Sequence, residues 1–289
     1  MLADPVFSER CSPSSFVGPK RYTPVPCQIQ DIPFIDAIII SHNHYDHLDH
    51  PTIMQIYKHQ PNVHFIVPLK LKSWFVSCGI NANQVTEMDW WEEANLVLSR
   101  AADGDAKPTK EGADSTSDVI SARFVCLPSQ HMGNRTPFDR GKALWASWSI
   151  ESGGKKLFFA GDTGYRSVLD VPADTADDYG SEYDHLPTCP AFKEIGEHHG
   201  PFDLGLIPIG AYSPRNFMSP MHSNTMDAVH IFKDTKCSKA LAMHWGTWIL
   251  TDEPALEPPV QLKQSLKRQG LPETGVFDVC ELGESREFS

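Results

Sequence analysis

Ile38-Ile39-Ile40-Ser41-His42-Asn43-His44-Tyr45-Asp46-His47-Leu48-Asp49 is the stretch on which the fold turns. Three β-branched residues make a buried strand, and the polar run begins where that strand ends. Residues two apart on a strand end project to one side, so His42 and His44 point together. Asp46 and His47 follow as the chain turns toward a helix, with Asp49 as its N-cap and Ile53, Ile56 and Tyr57 on one face. Imidazole and carboxylate are the ligand types of catalytic zinc sites. A merely polar surface loop would have to explain three histidines and an aspartate within six residues, directly behind a core strand.

One cluster does not close a metal site, and three more strand ends offer candidates. His131 follows the apolar run Val119–Leu127 through Pro128-Ser129-Gln130. Asp162 follows Leu157–Ala160 in Ala160-Gly161-Asp162-Thr163-Gly164, where small residues allow close backbone approach. His244 follows Ala240–Met243. Singly, His131 or His244 is as readily a satisfied core histidine as a ligand; four strand ends with ligand residues in one chain argue for a shared site.

The remaining pattern is of mixed strands and helices. Ile35–Ile40, His64–Val67, Val119–Leu127, Leu144–Ile150, Leu157–Ala160, Leu204–Ile209, Ala240–Met243 and Val276–Val279 read as buried strands. Pro190 reads as a first-turn proline of a helix that Gly200 ends, Ser223 as the cap of a helix through Phe232, and 259–269 as a helix ending at Gly270. The alternation implies a layered α/β architecture.

Composition narrows the class. The 289 residues are 40 % hydrophobic and 21 % charged, ordinary for a globular enzyme. A net charge of −12 argues against nucleic acid, which selects for a basic surface. Most of that charge lies in two segments, 101–118 and 166–188, which together carry −8. The first has no apolar side chain larger than alanine and reads as a disordered surface insertion. The second is similar, with Val168, Leu169, Val171 and Leu186 as anchors. No run approaches the roughly 18 apolar residues of a membrane span. The start, Met1-Leu2-Ala3-Asp4-Pro5, lacks the basic and apolar regions of a signal peptide. Seven scattered cysteines without a Cys-x-x-Cys pair read as reduced thiols. An intracellular protein, cytoplasmic or peripheral on an organelle membrane and not secreted, is expected.

His-x-His-x-Asp-His followed by a distant His, Asp and His resembles the motif set of the metallo-β-lactamase superfamily. The contexts Ser41–Asp49, Pro128–His131, Leu144–Ser149, Phe158–Tyr165, Gly200–Tyr212, His244–Trp248 and Leu256–Val260 are similar to one branch of it, the N-acyl-phosphatidylethanolamine phospholipases D. The resemblance implies an α/β fold, the αββα sandwich, spanning 1–289 as a single domain with 101–118 and 166–188 as acidic surface insertions. It implies two Zn²⁺: one on His42, His44 and His131, the other on Asp46, His47 and His244, with Asp162 bridging. Asp46, Asp162 and His222 would act in catalysis, with a hydroxide shared by the two metals attacking phosphorus. The products would be N-acylethanolamine and phosphatidic acid. A phospholipid substrate, a peripheral membrane surface and a homodimer are implied partners.

Several expectations are narrower. Asp4, Asp36 and Asp49 are rival acceptors for the free ring N–H of a ligand histidine. Trp90-Trp91 and Phe217-Met218 are candidates for an acyl groove or a bilayer contact, against an ordinary core role. Relative to the family, the chain opens at what resembles the third strand, so the first strands of the sandwich are expected to be missing. Met221 stands where glutamine is common. A soluble phosphodiester or a lactone is the alternative substrate class, and a truncated zinc-binding homologue without turnover the non-enzymatic alternative. Iron or manganese are alternatives to zinc.

Overall fold

The computed structural model describes residues 1–99, 119–172, 175 and 177–288. In chain order the elements are β1 (Leu2–Ala3), β2 (Ala37–Ile39), α1 (His50–His59), β3 (His64–Pro68), α2 (Lys72–Ser77), β4 (Val85–Met88), β5 (Glu93–Ser99), β6 (Val119–Leu127), β7 (Ser147–Ser152) and β8 (Lys155–Phe159). After these come α3 (Ala191–His198), β9 (Phe202–Pro208), α4 (Arg215–Met218), α5 (Thr225–Asp234), β10 (Cys237–Met243), α6 (Glu257–Arg268) and β11 (Phe277–Asp278). Among the described residues, β1-β2-β3-β4 form a parallel sheet, and β11-β10-β9-β8-β7-β6-β5 form a mixed one. In the larger sheet β5 to β8 pair antiparallel and β8 to β11 parallel.

Strand periodicity builds the layers. In β2 and the residue beyond it, Ala37 and Ile39 face the other sheet, whereas Ile38 and Ile40 face α1 and α2. β6 divides likewise: Phe124 and Cys126 pack between the sheets, Val125 and Leu127 under α3, α5 and α6. Because both faces of these strands are covered, they read as continuous apolar runs. The result is helix, sheet, sheet, helix: the αββα sandwich. The fully buried Trp148 of β7 lies between the sheets, and its indole N–H donates to the carbonyl of Ile40 at 3.0 Å, beneath the His42 turn.

The structure adjusts several expectations. The strand expected over Leu144–Ile150 starts at Ser147, and that expected over Leu204–Ile209 starts at Phe202. The cap of α5 is Asn224 instead of Ser223: Asn224 accepts from Asp227 N at 2.9 Å, while the Ser223 hydroxyl donates to the carbonyl of Pro208. Pro190 is the residue before α3, not its first turn. β4, β5, α2 and α4 have no counterpart in the sequence reading, and β1 stands where the chain was expected to open on a strand. Segment 101–118 lies outside the described residues. In 166–188, Val168 and Val171 are buried as expected of anchors, but Leu169 is exposed.

Candidate metal centre

Each of the seven candidate ligands follows the end of a strand, and His222 follows α4. After β2 the chain makes one tight turn, with His47 N and Leu48 N both donating to the carbonyl of His44, and then enters α1. Asp49 caps that helix, accepting from Thr52 N at 3.2 Å and from the Ser8 hydroxyl at 2.7 Å. Asp162 leaves β8 through Gly161 at φ +60, and a Cβ there would lie 2.6 Å from Ser41 Cβ; only glycine lets the two ligand loops touch. His244 leaves β10 at φ +60, a conformation costing a non-glycine residue about 1 kcal/mol or more. Its carbonyl lies against Gly210, where a Cβ would come within 2.3 Å.

The side chains form two adjoining groups. His42 Nε2, His44 Nδ1 and His131 Nε2 make a triangle with edges of 2.8, 3.2 and 3.2 Å. Beside it, His47 Nε2 lies 3.4 Å from Asp46 Oδ2 and 3.1 Å from Asp162 Oδ2. His244 Nε2 lies 3.3 Å from Asp46 Oδ2 and 3.2 Å from Asp162 Oδ1. Asp162 Oδ2 is also 3.9 Å from both His42 Nε2 and His131 Nε2, so this carboxylate touches both groups. His222 lies beside both groups, largely buried, its Nδ1 3.9 Å from Asp162 Oδ2.

Hydrogen bonds on the far ring nitrogens set the tautomers. Asp4 follows β1 and accepts at Oδ1 from Ser41 N (2.7 Å) and at Oδ2 from the Ser41 hydroxyl and from His47 Nδ1 (2.7 Å). With the Ser41 proton given to Asp4, His42 Nδ1 must donate to Ser41 Oγ, which leaves the lone pair on Nε2. His131 Nδ1 donates to the carbonyl of Met221 at 2.8 Å, and His44 Nε2 to Asn134 Oδ1 at 2.8 Å. All three lone pairs of the triangle therefore converge. Neutral imidazoles repel in that arrangement unless a cation lies among them. Tetrahedral coordination at roughly 2.0–2.1 Å spaces donor atoms roughly 3.3–3.4 Å apart, close to these distances. Both Asp162 oxygens, His47 Nε2 and His244 Nδ1 are buried without a hydrogen-bond partner among the described residues. The donor set thus fits a pair of divalent cations.

Charge separates the groups. Burial, followed by the neighbouring histidines, pushes His42 well below the ordinary imidazole value; burial also pushes His131 down, outweighing the pull of Asp162. In the other group burial opposes every charge and loses. Asp46 and Asp162 stay well below the usual carboxylate range beside His47 and His244. The same carboxylates raise His47 and lift His244 to about 10. Burial lowers His222 to about 4 against the attraction of Asp162.

Of the rival acceptors, Asp4 alone meets a candidate ligand; Asp49 is a helix cap and Asp36 is exposed. Trp90 is core, its indole donating to the carbonyl of Trp145, and Trp91 stacks on His199; neither lines the centre. Phe217 is exposed on α4. Sequence reasoning missed Asn134, which has no motif around it. It also missed a cavity of about 210 Å³ beside Asp46 and His244, walled by Phe159, Met243, Trp245, Trp248 and Leu250. The signal for the latter was available: Trp245, Trp248 and Leu250 all lie in the short stretch after His244.

A family model described as a beta-lactamase superfamily domain matches residues 1–245. The chain is 36 % identical over 293 residues to N-acyl-phosphatidylethanolamine-hydrolyzing phospholipase D 1 of Caenorhabditis elegans, covering 100 % of this chain and 70 % of that protein. To the mitochondrial N-acyl-phosphatidylethanolamine-hydrolyzing phospholipase D of Saccharomyces cerevisiae it is 33 % identical, covering 100 % of this chain but 52 % of the yeast protein. Among solved structures, an isothiocyanate hydrolase from Delia radicum gut bacteria superposes with a TM-score of 0.61 at 14 % identity, covering 99 % of this chain and 91 % of that one; it shares the fold. Fold, site geometry and sequence agree: the chain belongs to the metallo-β-lactamase superfamily of metal-dependent hydrolases, on the branch of the N-acyl-phosphatidylethanolamine-hydrolysing phospholipases D.

Proposed function

We propose that the chain is a zinc-dependent phosphodiesterase of the phospholipase D type, hydrolysing N-acyl-phosphatidylethanolamine to N-acylethanolamine and phosphatidic acid. The observation that carries this reading is the convergence of seven donor side chains from four strand ends into two groups that share Asp162. His42, His44 and His131 would hold one zinc and Asp46, His47 and His244 the other, with Asp162 between them. When bound, the pair supplies Lewis acidity and a water of pKa roughly 7.

The chain's own residues do the rest. The bond from phosphorus to the N-acylethanolamine oxygen breaks, one from phosphorus to water oxygen forms, and one water proton ends on the departing alcohol. Asp46 keeps Oδ2 on His47 and His244, leaving Oδ1 to orient the attacking water. His222 stands 3.9 Å from Asp162, where its ring would donate to a phosphoryl oxygen or to the leaving oxygen. Asp4 fixes the His47 and His42 rings, so little reorientation accompanies reaction. The apolar wall of Trp245, Trp248 and Leu250 favours a lipid over a soluble phosphodiester or lactone.

A peripheral membrane surface is consistent with the exposure of Leu250 in that wall and of Ile249 and Leu256 near it in the chain. No helix among the described residues is long and apolar enough to cross a membrane. A homodimer and an intracellular site rest on family likeness and on the absence of paired cysteines.

The test is metal analysis of the purified chain together with lipid analysis after incubation with N-acyl-phosphatidylethanolamine. About two zinc per chain and equimolar N-acylethanolamine and phosphatidic acid are expected. Water-soluble products alone would move the reading to a soluble phosphodiester, and zinc without turnover of any phosphodiester would move it to the inert homologue.

A further inference from the structure

The acidic stretch 166–188 is more than an insertion. From its far side it reaches the loop that carries His222. α4 runs directly into Ser219-Pro220-Met221-His222, and the carbonyl of Met218 accepts from both Met221 N and His222 N. That loop has two duties: the Met221 carbonyl takes the Nδ1–H of His131, and the His222 ring faces Asp162. The first residue of α4 is Arg215, with only 17 % of its side chain exposed. Its Nε donates to Asp178 Oδ2 at 2.8 Å, and its Nη1 lies 2.9 Å from Asp227 Oδ2 on α5 and 3.5 Å from the carbonyl of His222. Asp178 and Asp227 are 8 % and 0 % exposed. The neighbouring Tyr179 hydroxyl donates to Asp227, and Val168 N donates to the Ser219 hydroxyl at 2.9 Å. The segment therefore grips the loop at both ends, through Ser219 and through Arg215.

We infer that Asp178 and Arg215 are positioning residues of the hydrolytic site, holding the Met218–His222 loop so that His222 meets the substrate and Met221 orients His131. A buried guanidinium held between two carboxylates keeps one orientation: Nε is taken by Asp178, Nη1 by Asp227 and the carbonyl of His222, and Nη2 is buried without a partner among the described residues. Withdrawing Asp178 frees Arg215 to leave His222 O. The segment's outer tie, Arg268 to Asp177, is 44 % and 51 % exposed and contributes little. This inference rests on the hydrolase reading above, with His222 facing substrate.

The experiment compares zinc-loaded wild-type chain with Asp178→Asn, Asp178→Glu, Arg268→Gln, His222→Ala and the Asp178→Asn/His222→Ala pair. Two readouts are used: kinetics on bis(4-nitrophenyl) phosphate and N-acyl-phosphatidylethanolamine, and histidine ring ¹⁵N spectra. Asp178→Asn is expected to lower kcat about 30-fold with KM and zinc content unchanged, Asp178→Glu to recover most of it, and Arg268→Gln to change it less than twofold. In the His222→Ala background the same Asp178 change is expected to cost less than twofold, since the residue it acts through is gone. A further 30-fold loss there, or unshifted His131 and His222 ring signals in Asp178→Asn, would overturn the inference. If wild type hydrolyses neither substrate, the proposed function fails while the ring spectra still decide the positioning. Should Asp178→Asn not fold, Arg215→Lys keeps the charge but withdraws the fork, and takes the same readouts.

Discussion

The two halves of the centre are built to hold a cation in opposite ways. The His42–His44–His131 half is three neutral imidazoles, each with its far nitrogen satisfied, by Ser41, Asn134 and the Met221 carbonyl. The Asp46–His47–His244 half is charged. It includes one histidine on a left-handed backbone, and the Nδ1 of that residue has no partner among the described residues. The first half is preorganised by hydrogen bonds, the second by electrostatics. A metal should therefore meet a finished site in one half and displace protons in the other.

Asp162→Asn should have the largest effect, because this carboxylate lies within 4 Å of the inward-facing ring nitrogens of both halves. Activity is expected to fall at least 1,000-fold, more than in His222→Ala, with zinc lost from both groups. Equal residual rates at full occupancy in the two variants would contradict the bridging role. Asp4→Ala comes next. It frees His47 directly and His42 through Ser41, so zinc affinity or turnover should drop about 10- to 100-fold, the range for residues that orient ligand histidines. Asn134→Ala touches only His44 and should cost about 10-fold, at the low end of that range, confined to one of two zinc equivalents in a competitive chelator titration. If both equivalents weaken together, the halves are not separable.

The smallest signal divides the halves most sharply. His244, raised to about 10 in the metal-free protein, and His47, also raised, carry protons at pH 7 and must release them to bind metal. His42 and His131, pushed down, carry none. Affinity of the Asp46 half should thus rise as pH climbs from 7 toward 10, while that of the triangle stays flat. Calorimetry in buffers of different ionisation enthalpy should find protons released with one zinc equivalent only. Equal release with both would remove the distinction.

How far the sequence could be read follows the same division. His42, His44, Asp46 and His47 stand out because a short turn directly after Ile38–Ile40 concentrates them. His131, Asp162 and His244 were findable because each ends an apolar run, and their meeting is a tertiary fact that resemblance, not periodicity, suggested. What stayed hidden depends on contacts distant in the chain. Nothing around Asn134 marks it as the partner of His44, 90 residues earlier. Asp4, Asp36 and Asp49 are indistinguishable until β1 pairs beside β2, with Leu2 opposite Ile38, and brings Asp4 to Ser41. β1 is too short to show a period, and in Glu93–Ser99 the exposed Val97 between Leu96 and Leu98 blurs the alternation. Asp178 reads as one acid among six in 166–188, because its counter-charge, Arg215, lies 37 residues away.

The indole of Trp148 joins the larger sheet to the carbonyl of Ile40, and Ala146 N joins it to the carbonyl of Ser41 at 2.9 Å, directly before the His42 turn. Spreading of the two sheets and displacement of the first ligand histidine are thereby one mechanical event. Loosening along β7 would travel up those two tethers and blunt the catalytic centre while the outer helices still hold their places, so the enzyme would fall silent before it began to melt.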